Sequence, residues 1–407
     1  MGTPSQVLLD RIRGCMVGAV LGDCLGSPVE CTYWLGIKTK SVRKHFDAYK
    51  EDGSKLERTS SLMKYTDDTA MARQVALSII EKKELDVRDL GKRFVAEYEN
   101  EPWRGYGASV GQVFEKLEKT NFVSEKEVFQ PASEQFNGSG SYGNGAAMRV
   151  HPVGLFGKDI GEVEEFAQKQ ARLTHAHSGG IMGSILQASG TFWNIDLISN
   201  RRGYLMMIFS NEQMNSSNYT NFSAVHLALN QTSAKDMINE LARLSEKWEK
   251  DHPPNRSDNG IKGDEEDSDE DEEVLNRNKT YVQQLKSITN LLDVKDSEDN
   301  LVRFVKTLGN DIAAVRSAPT ALFSFLKAQK PIDGFCETND FQRTLELAMS
   351  FGGDSDTIMS MAGAIAGAYY GEKNIPKYLI NLCEGIEDAQ HQADEIFKLL
   401  QKDDNSS

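Results

Sequence analysis

Two short acidic segments, Tyr65-Thr66-Asp67-Asp68-Thr69 and Gly352-Gly353-Asp354-Ser355-Asp356-Thr357, carry the residue types best suited to chemistry. Each sets two carboxylates beside threonine hydroxyls and leads into an apolar stretch with helical spacing. Four carboxylates gathered at one point repel one another unless cations lie between them. Oxygen-only donors of this kind suit hard divalent ions, magnesium or manganese. Brought together, the segments would form a two-metal site of the sort that serves hydrolysis and group transfer. Taken singly, either could be a helix cap, a position that favours Thr and Asp. A cap needs only one oxygen, and both segments offer more.

Three further groups could complete such a site. In Gly22-Asp23-Cys24-Leu25-Gly26-Ser27-Pro28-Val29-Glu30, Asp23 lies within an apolar helix-like stretch, where a helix-end hydrogen bond is as good a role as catalysis. Glu30 follows Pro28 on a loop, a place for a movable acid/base or an exchangeable ligand. The stretch Phe136-Asn137-Gly138-Ser139-Gly140-Ser141-Tyr142-Gly143-Asn144-Gly145 interleaves glycine with Ser and Asn. Its bare backbone N–H groups could cradle an anion, and Phe136 and Tyr142 could stack on a base. No Gly-Lys-Ser/Thr follows, so it is not the loop of a nucleotide triphosphatase. In Thr174-His175-Ala176-His177, His175 is the better candidate for hydrogen bonding to a ligand. Arg104-Gly105-Tyr106-Gly107 reads as a polar turn lining a cleft.

The elements that must position these residues are helical. Apolar residues recur at three- and four-residue steps over 8–21, 70–80, 90–98, 110–117, 163–173, 181–188, 301–308 and 320–326. No long alternating run appears, so the expected class is all-α, a single compact multi-helix domain with a di-metal cleft. Gly14, Gly18, Gly22 and Gly26 recur every four residues, as do Gly363, Gly367 and Gly371. Glycine costs about 1 kcal/mol in a helix relative to alanine, so this spacing predicts helices whose backbones touch. The domain is expected over 8–400, with flexible ends at 1–7 and 401–407. Two interruptions are expected, an inserted surface excursion at 189–223 and an acidic loop at 251–273, whose residues 263–273 carry nine acids and no base.

The 407 residues carry a net charge of −15, which argues against a nucleic-acid groove. Five scattered cysteines with no CxxC pair fit free thiols in a reducing, intracellular compartment: cytoplasm, nucleus or a mitochondrial pool. No apolar run reaches the roughly 20 residues that span a bilayer, and nothing demands an oligomer.

Taken in order, RGCMVGAVLGDCLGSPVE, YTDDTAMA, QFNGSGSYGNGAAMRV, LTHAHS and SFGGDSDTIMSMAGAIAGAYYG resemble the ADP-ribosylglycohydrolase family. The pattern looks like the family's type-3, serine-directed branch over about 8–188 and 224–400. The resemblance implies removal of ADP-ribose from serine, from poly(ADP-ribose) and from O-acetyl-ADP-ribose. It implies two magnesium ions held by Thr66, Asp67, Asp68, Asp354, Asp356 and Thr357, with Glu30 a mobile ligand. Gly140, Ser141, Tyr142, Gly143 and Asn144 would hold the diphosphate and adenosine, Phe136 and Tyr142 would face the adenine, and His175 would contact the ADP-ribose. Glu30 or Asp354 would handle the proton. Arginine-linked ADP-ribose, or a non-catalytic scaffold, are the alternatives.

Overall fold

The computed structural model describes residues 3–55, 62–199, 234–253, 279–295 and 297–404. Among these the chain is helical, and the only strand-like pairings are two isolated bridges, Met63 with Cys383 and Gly143 with Ala313. The helices that bear on the site are α1 (Pro4–Gly26), α2 (Asp67–Lys82), α3 (Ser178–Ser199), α4 (Ala314–Lys327), α5 (Asp340–Ser350), α6 (Ser355–Tyr370) and α7 (Ile386–Asp404).

Helix α6 is the axis of the molecule. Every residue from Ser355 to Ala368 is buried, as expected of a helix that is apolar on all sides. Helices α1, α3, α4 and α5 surround it. Its tightest partner is α1, and glycine makes that possible. A Cβ at Gly14 would lie 2.3 Å from the carbonyl oxygen of Gly367, one at Gly18 2.2 Å from that of Gly363, and one at Gly22 2.0 Å from that of Met359. Gly26 meets Asp356 in the same way, at 2.5 Å from its Cα. The pairing therefore runs antiparallel. It delivers the C-terminal end of α1, and Glu30 just beyond it, to the N-terminal end of α6, where Asp354 and Asp356 sit. The glycine spacing thus becomes the placement of the acids.

The expected excursion at 189–223 does not begin where the sequence suggested. Helix α3 runs unbroken to Ser199. Ser189, Thr191, Phe192, Trp193, Asn194 and Ile195 are all buried. Thr191 Oγ1 donates to the carbonyl of Gln187 and Asn194 Nδ2 to that of Gly190, so the polar residues satisfy themselves within the helix. Gly190 faces Ile365 of α6. A helix buried on all sides shows no amphipathic period, which made this stretch look irregular. Residues 200–223, and most of the acidic loop, lie outside the described residues.

Candidate active site

The acidic cluster is assembled from three helix ends. At the first, Thr66 caps α2, its Oγ1 accepting from the N–H of Asp68 at 3.3 Å. Asp23 of α1 is fully buried and holds the same helix end. Its carboxylate accepts from the N–H groups of Thr66 and Thr69 at 3.0 Å and from the Thr69 hydroxyl at 2.6 Å. Burial pushes the pKa of Asp23 up to about 6 despite these bonds. Asp23 takes the hydrogen-bonding role that sequence left open.

At the second helix end, Gly352 and Gly353 carry the chain into α6 with φ of 64° and 65°, a left-handed geometry that favours glycine. A Cβ at Gly353 would stand 2.1 Å from the carbonyl oxygen of Asn310. Asp354 donates its N–H to that oxygen at 2.8 Å. Its Oδ2 accepts from Asn144 Nδ2 at 2.5 Å, and Asn144 also donates to Ser317 Oγ at 3.0 Å. The third end is that of α1, followed by Glu30, which is exposed.

Here the fold brings the distant segments together. Carboxylate oxygens of Glu30, Asp354 and Asp356 lie within 4.8 Å of one another. Asp68 Oδ2 accepts from Thr357 Oγ1 at 3.3 Å and from Thr66 Oγ1 at 3.4 Å, while Asp68 Oδ1 is buried with no partner. Burial, then the charge of Asp23, pushes the pKa of Asp67 up to about 8. Burial, with Asp23 and Asp356 next, drives Asp68 well above the carboxylate range, and Asp356 rises through burial and the charges of Asp354 and Glu30. Asp354 and Glu30 are raised too, burial again leading. The charges acting most strongly on Asp68 and Asp356 are other acids. An orphaned carboxylate oxygen amid oxygen donors, with no ion-paired base among the described residues, fits a hard divalent cation.

The glycine-rich loop lies beside this cluster. Phe136 and Asn137 adopt left-handed φ of 50° and 57°, unusual for non-glycine residues and typical of functional turns. Phe136 is 55% and Tyr142 40% exposed, both free to meet a flat ligand. A Cβ at Gly140 would come within 2.6 Å of the His177 nitrogen, so the loop fits closely over the histidine turn. Gly143 donates its N–H to Ser141 Oγ at 3.2 Å, and Asn144 donates its own to the carbonyl of Ile312 at 2.9 Å. Asn144 thus ties the glycine-rich loop to the acidic cluster. Its backbone N–H and its side-chain amide are both engaged, and through the amide it orients Asp354. Buried His175 pairs through Nδ1 with Thr174 Oγ1 at 2.8 Å, and Arg149 Nη2 donates to the same hydroxyl at 2.8 Å. Burial, reinforced by Arg149, lowers the His175 pKa to about 3, so the ring is neutral. His177 accepts the N–H of Gly179 at 3.0 Å.

Sequence reasoning passed over Asn310 and Ser317. No spacing marks them, because their partners lie far along the chain.

The site is an acidic cluster beside a glycine-rich loop in a helical domain, and sequence comparison supplies its class. The ADP-ribosylglycohydrolase family model matches residues 4–406, and the chain belongs to that family. It is 38% identical over 400 residues to ADP-ribosylhydrolase ARH3 of Homo sapiens, covering 97% of this chain and 94% of that protein. With ARH3 of Xenopus tropicalis the identity is 36% over 392 residues, covering 96% of each. An ADP-ribosyl-[dinitrogen reductase] glycohydrolase of Rhodospirillum rubrum is 30% identical over 171 residues, 41% of this chain and 52% of that one. Among solved structures, an ADP-ribosylglycohydrolase-related protein complex superposes with a TM-score of 0.57 at 16% identity, covering 97% of this chain and 99% of that one; this likeness concerns the fold. The chain is thus an ADP-ribosylhydrolase and a homologue of ARH3. Among the described residues no helix is long and apolar enough to cross a membrane.

Proposed function

We propose that this enzyme hydrolyses the O-glycosidic bond joining ADP-ribose to serine, and also cleaves poly(ADP-ribose) and O-acetyl-ADP-ribose, with two magnesium ions as cofactor. The observation that carries the reading is the buried, unpartnered oxygen of Asp68 within a cluster of acids and threonine hydroxyls. Glu30, Thr66, Asp67, Asp68, Asp354, Asp356 and Thr357 would hold the ions; manganese would fit the same donors. When bound, the metals would orient the ribose hydroxyls and activate water.

The chain's own residues divide the remaining work. The N–H groups of Ser141 and Tyr142 take the diphosphate at the glycine-rich loop, and Phe136 and Tyr142 flank the adenine. Neutral His175 offers its free ring nitrogen near Gly143 and Gly145 as a hydrogen-bonding contact to ADP-ribose. Asp354 is fixed by Asn144 and buried, whereas Glu30 is exposed and on a loop. We therefore assign proton handling to Glu30, which can reach the leaving serine oxygen as the bond develops oxocarbenium character. The enzyme acts as a monomer within the cell.

The test is release of ADP-ribose from a serine-modified peptide, with and without magnesium, beside an arginine-linked control. Magnesium-dependent release from serine alone is expected. Release from arginine alone would overturn the linkage, and release without any divalent ion would overturn the metal.

A further inference from the structure

Resting on that reading of the substrate, we propose that Trp34 and the exposed basic residues of the segment Lys38–Lys44 beyond it form an extension subsite for the neighbouring unit of a poly(ADP-ribose) chain. The turn after Glu30 displays Tyr33, Trp34 and Leu35, which are 47%, 54% and 68% exposed. This exposure is costly in water, yet the backbone beneath it is firmly held. Gly353 donates its N–H to the carbonyl of Tyr33 at 2.8 Å, and Asn310 Nδ2 donates to that of Trp34 at 3.0 Å. The same Asn310 accepts the N–H of Asp354 through its carbonyl. One residue thus ties the backbone of the aromatic turn to that of the acidic cluster, and the exposed rings are carried next to it.

Beyond them the charge changes sign. In a chain of net charge −15, Lys38, Lys40, Arg43 and Lys44 fall within seven positions with no acid between them, and all four are exposed. Lys40 and Arg43 line a groove of about 510 Å³, together with Leu301, Phe335, Glu298 and Asp333. Glu298 is already engaged there, accepting from the N–H and hydroxyl of Thr39 at 3.1 and 2.6 Å.

The chemistry of the polymer matches this order. The bond cleaved joins C1″ of one unit to a ribose oxygen of the next unit's adenosine. The leaving side therefore carries an adenine one sugar away from the acids, and then a diphosphate. An exposed indole is a stacking platform for any base, and lysine and arginine attract the phosphates behind it. A peptide acceptor would need neither feature.

The experiment measures kcat and KM for wild type, W34A, W34F and K40Q/R43Q on poly(ADP-ribose) and on a serine-mono-ADP-ribosylated peptide. W34A is expected to raise KM for the polymer roughly tenfold, with W34F restoring much of it. K40Q/R43Q should raise the same KM and flatten its salt dependence. On the mono-modified peptide both should match wild type. An equal rise on the peptide would overturn the proposal and make this surface a reader of the acceptor protein. No change on either substrate would overturn it outright. If wild type cleaves neither substrate, the functional reading fails by itself, and direct binding of poly(ADP-ribose) against free ADP-ribose by wild type and W34A still decides the subsite.

Discussion

The segment from Met63 to Asp68 has charged groups on both sides, and they are treated in opposite ways. Behind it, Arg104 donates to the carbonyl of Tyr65 at 3.0 Å, pairs with Glu101 at 2.9 Å and with Glu384, and lies 3.8 Å from the centre of the Tyr65 ring. Lys64 adds a second bond to Glu384 at 2.6 Å. Burial works against ionising Glu384, yet the bonds from Lys64 and Arg104 prevail and hold its pKa below the usual value. Asp67 and Asp68, at the end of the same segment, and Asp354 and Asp356 have no ion-paired base among the described residues, and other acids raise their pKa values or crowd them. A chain that pairs Glu384 so closely leaves this cluster, among the described residues, without an ion pair. Structural ion networks carry both charges; a cation site carries one and waits for the other.

Substitutions on the two sides should separate most sharply. Asp68→Asn and Asp356→Asn should each lower ADP-ribose release by on the order of 10³-fold, about 4 kcal/mol. In the absence of metal the same substitutions relieve repulsion, so the metal-free melting temperature should rise by about 2 °C. Steady-state kinetics and calorimetry with and without chelator check both. A fall in metal-free stability would mean these carboxylates are structural.

Arg104→Met should do the reverse. It strands Glu384 and Glu101 and should cost about 2 kcal/mol of stability whether or not magnesium is present. Denaturant unfolding measures this. An effect that disappears on adding magnesium would join the two regions that the comparison holds apart.

The smallest effect is the pH dependence, and its two parts have opposite signs. Glu384 is depressed in the folded chain, so its contribution is present above the ordinary glutamate range and is lost as pH falls through its folded value. The raised acids behave the other way. Without metal, the folded state favours their protonated forms. Stability present below the ordinary aspartate range is therefore lost as pH climbs through about 8 at Asp67. Melting curves taken with chelator should decline from pH 5 to pH 8.5. Magnesium should flatten that decline, and a decline equal in both conditions would contradict the assignment.

Much of this was legible in the chain itself, for local reasons. The helical periods and the four-residue glycine spacing state their own geometry, and Thr-Asp-Asp-Thr and Asp-Ser-Asp-Thr carry more oxygen than a cap requires. What was hidden depends on long-range partners. Asn144 reads as a phosphate-loop residue, and only the approach of Asp354, 210 positions away, reveals that it also positions that carboxylate. Asp23 looks ambiguous until Thr66 and Thr69 arrive above it. Ser189 and Gly190 look like a break because a helix buried on every side has no polar face to announce it. Arg104 and Glu384 carry no signal of their pairing.

The most direct measurement is calorimetric titration of magnesium into the full chain and into Asp68→Asn/Asp356→Asn. The account predicts saturable binding by the wild type and its loss in a double variant that remains folded. Equal binding by both, or none by the wild type, would contradict it.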